Sequence, residues 1–176
     1  IVVAIIGILA AVAIPGYIGM QERGRKGATI RVAEASVPEL QAWMNSAKKS
    51  GGAQGGLFEI DSNGDGVVSS ATDVNNNTLG AAATNFVLTY WLPLYNTTKT
   101  QVSPWAGTVG MWRNGGVTAT EAACVAAATA GQISLCYTPA ANATIRTLFV
   151  VVNDVTDATA GAAGGVTIYR KTVSSD

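Results

Sequence analysis

The chain has 176 residues, of which 48% are hydrophobic and 12% are charged, and its 11 basic residues balance its 11 acidic residues. This composition excludes an intrinsically disordered chain, and it lacks the basic surplus of a nucleic-acid binder, so no specific nucleic-acid partner is predicted. The chain has no histidine, which excludes Ser-His-Asp and Cys-His nucleophile systems and His-ligated zinc sites.

The first predicted element is an apolar helix. Residues 1–20 read IVVAIIGILAAVAIPGYIGM, and no charged side chain precedes Glu22. At about 1.5 Å per residue this segment spans roughly 30 Å, the thickness of the hydrocarbon core of a bilayer. A signal peptide and a buried core helix are the alternatives, but no basic start is visible, and small proteins rarely bury a helix that is apolar on every face. The segment is therefore predicted to lie in a membrane or inside a fibre.

Two prolines interrupt this helical pattern. Pro15 has no N–H, and its ring clashes with the carbonyl of Ala11, so we expect a kink or a local loss of helix there. Gly7 weakens the same region. Pro38 predicts a second bend.

Residues 21–50 form the amphipathic half of the same predicted helix. Apolar side chains recur at spacings of three and four, which indicates one buried face, at Ile30, Ala33, Val37, Leu40, Met44 and Ala47. This pattern predicts a helix that lies on a sheet, because a free coiled coil would need more heptads.

The stretch IVVAIIGILAAVAIPGY resembles the N-terminal helix of type IV pilins and of the related pseudopilins of type II secretion. The resemblance covers residues 1–50, with Pro15 at the family's helix-kinking proline and residues 7–15 at the part that melts locally in assembled filaments. In that family an N-methylated aromatic residue and a glutamate precede the matching stretch, so we expect further residues upstream of Ile1. The resemblance implies an α+β fold, in which a long N-terminal helix packs on a C-terminal antiparallel sheet.

The resemblance also implies a function, which is that of the major structural subunit of a type IV pilus. The subunit would be held in the inner membrane with its head in the periplasm, and the assembly machinery would transfer it into an extracellular filament of identical copies. The fibre would serve adhesion, motility or DNA uptake. The residues expected to take part in assembly are Ile1, Gly7, Pro15, Glu22, Arg23, Arg25 and Lys26.

Two other functions remain as alternatives. The first is a major pseudopilin of type II secretion, a family whose members often carry calcium in the head. The second is a membrane-anchored enzyme that uses Asp154 and Asp157, but acids that follow a predicted strand beside small residues are more typical of a loop, and we expect no enzymatic activity. Basic residues just after an apolar span would place the head in the cytoplasm, whereas the resemblance places it outside.

Residues 51–176 are predicted to form a globular head. Segments rich in branched and aromatic residues predict the strands of an antiparallel sheet at residues 86–91, 108–112, 133–138, 145–153 and 166–173. Thr118 and Glu121 match a capping box, which predicts a short helix over residues 122–130 that ends before Gly131.

Cys124 and Cys136 are the only cysteines of the chain. An exported protein favours one disulfide between them, and two free thiols in a reducing compartment are the alternative. Many type IV pilins carry a disulfide near the C-terminus, but here a long segment follows Cys136. The bridge is therefore expected to connect the short helix to a strand.

The segment DSNGDGVVSSATD, residues 61–73, resembles a calcium-binding loop. Asp61, Asn63 and Asp65 place oxygen ligands at alternate positions, Gly66 supplies the sharp turn, and Val67 offers its backbone carbonyl. The twelfth position of the loop is a threonine, so we expect Asp73 to close the site, with Glu59 as a weaker candidate. The alternative is a solvated turn whose Asp and Asn side chains bond their own backbone.

Overall fold

The protein is described by a computed structural model over residues 1–49, 60–69, 90–138, 147–156, 158 and 160–174, with the backbone alone for residues 47–49. The first element is a single helix, α1, Val2–Lys49, and both Pro15 and Pro38 lie inside it. The backbone stays helical through both prolines, so the local loss of helix expected at Pro15 does not occur. A helix can bend at a proline while remaining helical, and the expected kinks therefore stay a prediction.

The second half of α1 packs on the head along the predicted face. Ala33, Leu40 and Met44 are fully buried there, and Trp43 is buried beside them. This face of α1 contacts the last two strands of the main sheet. The prediction of a helix lying on a sheet is confirmed.

A small hairpin precedes the main sheet and is formed by β1, Val102–Ser103, and β2, Ala106–Gly110. The main sheet has four strands, arranged in their chain order. These are β3, Trp112–Val117; β4, Ile133–Thr138; β5, Thr147–Asn153; and β6, Thr167–Ser174. The α+β fold, with a long helix on a C-terminal sheet, is confirmed.

One strand pair departs from the expected antiparallel sheet. The pairs β4–β5 and β5–β6 are antiparallel, but β3 and β4 are parallel. The chain leaves the end of β3, passes through helix α2, Glu121–Ala127, and returns to the start of β4. A crossover of this kind places two consecutive strands in the same direction, and a predicted short helix between two strands is the sequence signal for it.

The main sheet is covered on both faces. Alternate residues of β4 and β5, including Leu135 and Val150, belong to the core that α1 covers on one face, whereas Cys136 and Phe149 belong to the smaller core beside α2 on the other. Five consecutive residues of β4, from Ile133 to Tyr137, are therefore buried. Burial on both faces explains the nearly continuous apolar sequence of these two strands.

The predicted boundaries of several elements require correction. The segment predicted as one strand over residues 108–112 belongs to β2 and β3, with a break at Met111. Tyr90 and Trp91, predicted to end a strand, are helical and lead into a π-helical turn, Leu94–Thr98; the rest of residues 86–91 lies outside the described part. Trp91 is fully buried in contact with the rings of Trp43, Tyr95 and Trp112.

The capping prediction for α2 was wrong by two residues. The N-cap is Thr120, whose side-chain oxygen accepts a hydrogen bond from the Ala123 N–H at 3.2 Å. Thr118 instead continues the strand pairing, because its N–H donates to the carbonyl of Tyr137 at 3.1 Å. The helix α2 also ends earlier than predicted, at Ala127 rather than at residue 130, because Ala128 has an extended backbone.

Candidate functional site

The N-terminal half of α1 extends away from the head and is exposed along its whole length. Residues 1–21 are all exposed, and the large apolar side chains among them range from 53% to 101% exposed. These side chains are Ile1, Val2, Val3, Ile5, Ile6, Ile8, Leu9, Val12, Ile14, Tyr17, Ile18 and Met20. We call residues 1–21 the apolar rod.

The apolar rod has no polar side. Four of its isoleucine and leucine side chains, at positions 6, 8, 9 and 14, project in directions that surround the helix axis because successive residues are about 100° apart. By length and composition α1 is able to cross a membrane, and none of its most apolar stretch is buried in the head. The exposure excludes a core helix of this head. The rod needs lipid or other apolar surfaces around it, because leaving this much apolar area in water is unfavourable.

Three of the residues expected to take part in assembly, Ile1, Gly7 and Pro15, lie on the rod. A side chain added at Gly7 would meet no atom within 4 Å in the described part of the chain beyond its own stretch of helix, so packing among these residues does not require glycine there. Pro15 cannot donate a backbone hydrogen bond to the Ala11 carbonyl. In lipid or in a helix bundle that carbonyl needs another donor.

The head is attached to α1 immediately after the rod by two side chains on one face. Glu22 accepts hydrogen bonds from the indole N–H of Trp105, with Nε1 at 3.1 Å from Oε1 and 3.0 Å from Oε2. Trp105 lies in the turn between β1 and β2. One helical turn later, Lys26 Nζ lies 2.6 Å from Asp154 Oδ2 and 3.8 Å from Glu22 Oε1. We call Glu22, Lys26, Trp105 and Asp154 the junction.

Asp154 is the buried member of the junction, with its side chain 1% exposed. Its Oδ1 accepts from the N–H groups of Thr156 and Val166 at 2.9 Å, and its Oδ2 accepts from the Thr156 hydroxyl at 2.7 Å. Burial opposes ionisation, but the hydrogen bonds from Lys26, Thr156 and Val166 outweigh it and lower the pKa of Asp154 from 3.8 to about 2. The hydrogen bond between Lys26 and Asp154 also raises the pKa of Lys26 above its ordinary value.

The backbone around Asp154 is tightly packed as well. At Gly165 φ is +84°, and a Cβ added there would lie 2.0 Å from the Asp154 carbonyl oxygen, so only glycine fits. Asp154 follows β5 and Val166 precedes β6, so the carboxylate holds together both ends of the connection between these strands. Asp154 thus has a structural role. Its ion-pair partner, Lys26, lies 128 residues earlier in the chain. Asp157 lies outside the described residues.

The four charged residues expected to act together in assembly are separated by the structure. Glu22 and Lys26 contact the head of their own subunit, whereas Arg23 and Arg25 are exposed. Among the described residues, neither arginine has an ion-pair partner. Sequence reasoning missed Trp105 and Asp154 as the partners of Glu22 and Lys26.

The predicted calcium loop forms a closed set of hydrogen bonds. Asp61 accepts from the N–H groups of Gly64 and Gly66 at 2.6 Å and 2.8 Å, Asn63 accepts from Asp65 N–H at 2.9 Å, and Asp65 accepts from Val67 N–H at 2.8 Å. The φ angles of the two glycines are +83° and +87°, as a tight turn requires.

These hydrogen bonds are those expected of a solvated turn. They also leave acceptor positions on the carboxylate oxygens that an ion can use. A carboxylate oxygen has two acceptor positions, so each oxygen of Asp61 and Asp65 that accepts one bond retains another. Within residues 60–69 the loop supplies two carboxylates and one amide, and no group of three or more His, Cys, Asp or Glu side chains occurs in the described part of the chain. The expected closing ligand Asp73, and the weaker candidate Glu59, lie outside the described residues.

The disulfide is present and connects the elements that were expected. Cys124 of α2 is bonded to Cys136 of β4, with the two Cα atoms 5.8 Å apart. Gly115 lies at a bulge of β3 directly against it, and a Cβ there would be 2.3 Å from the Cys136 sulfur. The bridge thus attaches α2 to the sheet face opposite α1.

Comparisons of the chain with protein-family models, with curated proteins and with solved structures found no match. The long apolar N-terminal helix, the sheet-containing head and the disulfide are consistent with a pilin-like architecture.

Proposed function

We propose that this chain is the major structural subunit of a filament of the type IV pilus kind. The observation that carries the proposal is the exposure of every residue of the apolar rod, although the rest of the same helix is packed in the head. A rod that is apolar on all sides is suited first to a bilayer and then to a bundle of identical rods. In both settings its side chains are removed from water, at about 1.5–3 kcal/mol for each large apolar side chain that becomes fully buried.

Assembly then consists of moving the rod from lipid into the fibre. The inner membrane holds the rod before assembly, with the head in the periplasm, and the assembly machinery moves the subunit into an extracellular filament. Ile1, Gly7 and Pro15 contribute to the rod-to-rod surface. The junction keeps the head at a fixed position next to the end of the rod, so that the heads of successive subunits are placed regularly by the packing of the rods.

The charged residues have distinct parts in this proposal. Glu22 and Lys26 act within the subunit, through Trp105 and Asp154. Arg23 and Arg25 are exposed on the sides of the helix and are available to pair with acidic groups of neighbouring copies in the fibre. Such exposed pairs contribute only about 0–1 kcal/mol each, so the rod supplies most of the assembly energy.

Calcium is proposed as a structural ion of the head. It would be held by Asp61, Asn63, Asp65, the Val67 carbonyl and Asp73, of which the first four lie in one tight turn. Because the closing ligand is displaced from its usual position, the affinity should fall near the weak extracellular range, about 10⁻⁴–10⁻³ M. The ion would order a glycine-rich segment that lacks a large apolar core.

The test is electron microscopy of material sheared from the cell surface, with identification of the protein by mass spectrometry. We expect filaments that contain this chain and that disappear when Leu9→Asp places a charge on the rod. Leu9→Met, which preserves an apolar side chain of similar volume, is the matched control and should retain filaments. A secretion defect without surface filaments would favour the major pseudopilin instead, and lone subunits in all conditions would refute both.

A further inference from the structure

We propose that Arg23 and Arg25 form a binding surface for the phosphate groups of anionic lipids at the membrane boundary of the unassembled subunit. This inference rests on the proposed function only in that the apolar rod resides in a bilayer. It assigns a ligand to two exposed side chains that form no ion pair with the described residues of their own subunit.

The two arginines lie on either side of the helix face that carries the head. Glu22 and Lys26 are one turn apart and both face the head. At about 100° per residue, Arg23 and Arg25 project about 80° to either side of the line midway between these two residues. The arginines therefore flank the attached head, one on each side, and both are exposed.

The charged side chains of this turn differ in whether they have partners in the head. The acidic residue of this turn, Glu22, is engaged by the Trp105 indole, and Lys26 is neutralised by the buried carboxylate of Asp154. The indole is neutral, so Glu22 keeps its negative charge, and the five charged groups of this region, Glu22, Arg23, Arg25, Lys26 and Asp154, sum to +1. Among them only the two guanidinium groups are exposed and without an ion-pair partner in the described part of the chain. The sequence alone does not single out these two arginines, because the same turn also contains Glu22 and Lys26. Only the contacts in the structure distinguish them.

Both arginines lie at the depth of the lipid headgroups when the rod is in a bilayer. Along the helix axis Arg23 lies about 4.5 Å and Arg25 about 7.5 Å beyond Met20, the last residue of the apolar stretch. Side chains of an α-helix lean toward its N-terminus, which here is the side of the rod, so both guanidinium groups reach back toward the headgroup region. Arginine binds phosphate oxygens with two parallel hydrogen bonds, which suits it to this ligand.

The head places an aromatic side chain, Trp105, against Glu22 and therefore next to the two arginines along the helix axis. Trp105 is half-buried and bonded to Glu22, and Tyr17 lies on the rod, 64% exposed. Tyrosine and tryptophan are enriched at membrane boundaries, where an apolar ring and a polar atom are both satisfied. The two rings and the two arginines thus define one boundary layer. Acidic groups of a second copy are the other conceivable partner, but a lone subunit in a bilayer meets lipid phosphates first.

The test uses the full chain in lipid vesicles and the fluorescence of Trp105, which brominated lipids quench on contact. Brominated phosphatidylglycerol and brominated phosphatidylcholine are compared in vesicles of otherwise equal composition. Trp105→Phe identifies the part of the signal that comes from the boundary, because Trp43, Trp91 and Trp112 are buried in the head. Near-ultraviolet circular dichroism checks that each variant keeps the packed head.

We expect the anionic lipid to be preferred next to Trp105 by about fivefold for each arginine. Arg23→Gln with Arg25→Gln should abolish this preference. Arg31→Gln, which removes an exposed charge about 9 Å farther along the helix, should leave it unchanged.

Equal quenching by the two lipids in the unmodified chain would overturn the proposal. So would a preference that survives the double substitution, or one that Arg31→Gln reduces equally, because the effect would then be one of overall charge. If the double substitution removes contacts between copies but leaves the lipid preference intact, the arginines bind a second copy and the lipid assignment is wrong. Filaments are scored separately in cells, and their absence alongside a normal lipid preference would refute only the proposed function.

Discussion

The two halves of α1 are continuous in secondary structure and opposite in environment. In residues 1–21 every side chain is exposed, whereas Ala33, Leu40 and Met44 in the second half are fully buried by the head. Proline occurs in both halves without ending the helix. The comparison shows that one half of α1 is folded by its own chain, while the other half depends on what surrounds the subunit. Substitutions in the two halves should therefore be detected by different measurements.

The largest effect on the head is expected at the junction between the two halves. Asp154→Asn replaces Oδ2, which accepts from Lys26 and from the Thr156 hydroxyl, with an amide nitrogen, and two hydrogen bonds to a charged group together contribute about 3–5 kcal/mol. The measurement is the free energy of unfolding of the head, from denaturant titration in detergent. Glu121→Gln is the control, because it breaks the exposed pair with Arg170 and should cost about 0–1 kcal/mol. Equal losses in both variants would show that the junction is no stronger than a surface pair.

The next effect compares leucines in the two halves directly. Leu40→Ala opens a cavity in the core and should lower the free energy of unfolding by about 2–5 kcal/mol. Leu9→Ala removes the same atoms from a side chain that is 64% exposed, and it should change head stability by less than about 0.5 kcal/mol. The same titration measures both. If Leu9→Ala destabilises the head as much as Leu40→Ala does, the rod is packed on the head and our account of it is wrong.

The disulfide should stabilise the head without influence on the rod. Replacement of both Cys124 and Cys136 by serine should cost about 3 kcal/mol, because the unfolded chain loses the constraint of the closed loop. Thermal unfolding followed by near-ultraviolet circular dichroism measures the loss. Membrane insertion of the rod should be unchanged, since α2 lies on the sheet face opposite α1. A variant with unaltered unfolding would show that the bridge contributes little.

Acid should weaken the junction in a defined pH range. Because the pKa of Asp154 is lowered from 3.8 to about 2 in the folded protein, its ionisation stabilises the fold above the unfolded pKa. That contribution, about 2 kcal/mol, is lost as the pH falls from about 5 through 2. Unfolding measured over this range should show the loss in the unmodified chain and a correspondingly flatter profile in Asp154→Asn. Parallel profiles would mean that Asp154 does not carry the pH dependence.

The smallest of these effects concerns the Asp61 loop. Calcium at 10 mM and an affinity of about 10⁻⁴–10⁻³ M should stabilise the head by about 1–3 kcal/mol, and a chelator should reverse the gain. Asp65→Asn, which removes one carboxylate of the turn, should abolish the response to calcium. Magnesium serves as the control ion. Identical melting curves with calcium and with chelator would show that the loop is a solvated turn.

The parts of the fold that were predictable depend on local patterns. The spacing of Leu40 and Met44 indicated the buried face of α1, and the run of branched residues over 133–138 coincides with β4. The parallel pairing of β3 and β4 was not predicted, because it depends on where the chain returns after α2. The sequence favours Thr118 as the cap because a matching glutamate follows it, but in the structure the Thr118 N–H donates to the Tyr137 carbonyl in the strand pairing.

The candidate site was predictable to a similar degree. Composition alone identified the rod, and the charged turn that follows it was recognised as well. The sequence does not show which of these charged side chains contact the head. Glu22 and Lys26 bind Trp105 and Asp154, which are far away in the chain. In the sequence, Asp154 cannot be distinguished from an ordinary acidic loop residue. Its structural role is visible only in its contacts with Gly165 and Val166.

The most direct test of the central claim is cross-linking between rods in filaments. Cys124 and Cys136 are bonded to each other, so a cysteine placed singly at Ile6, Ile8, Leu9 or Ile14 supplies the one free thiol of each variant. These four positions sample the directions around the helix, and a bifunctional thiol reagent is applied to material collected from the cell surface. We predict covalent dimers from one or more of these positions in filaments, and monomers from the same variants in excess detergent. Monomers alone from all four positions in filaments would contradict the account.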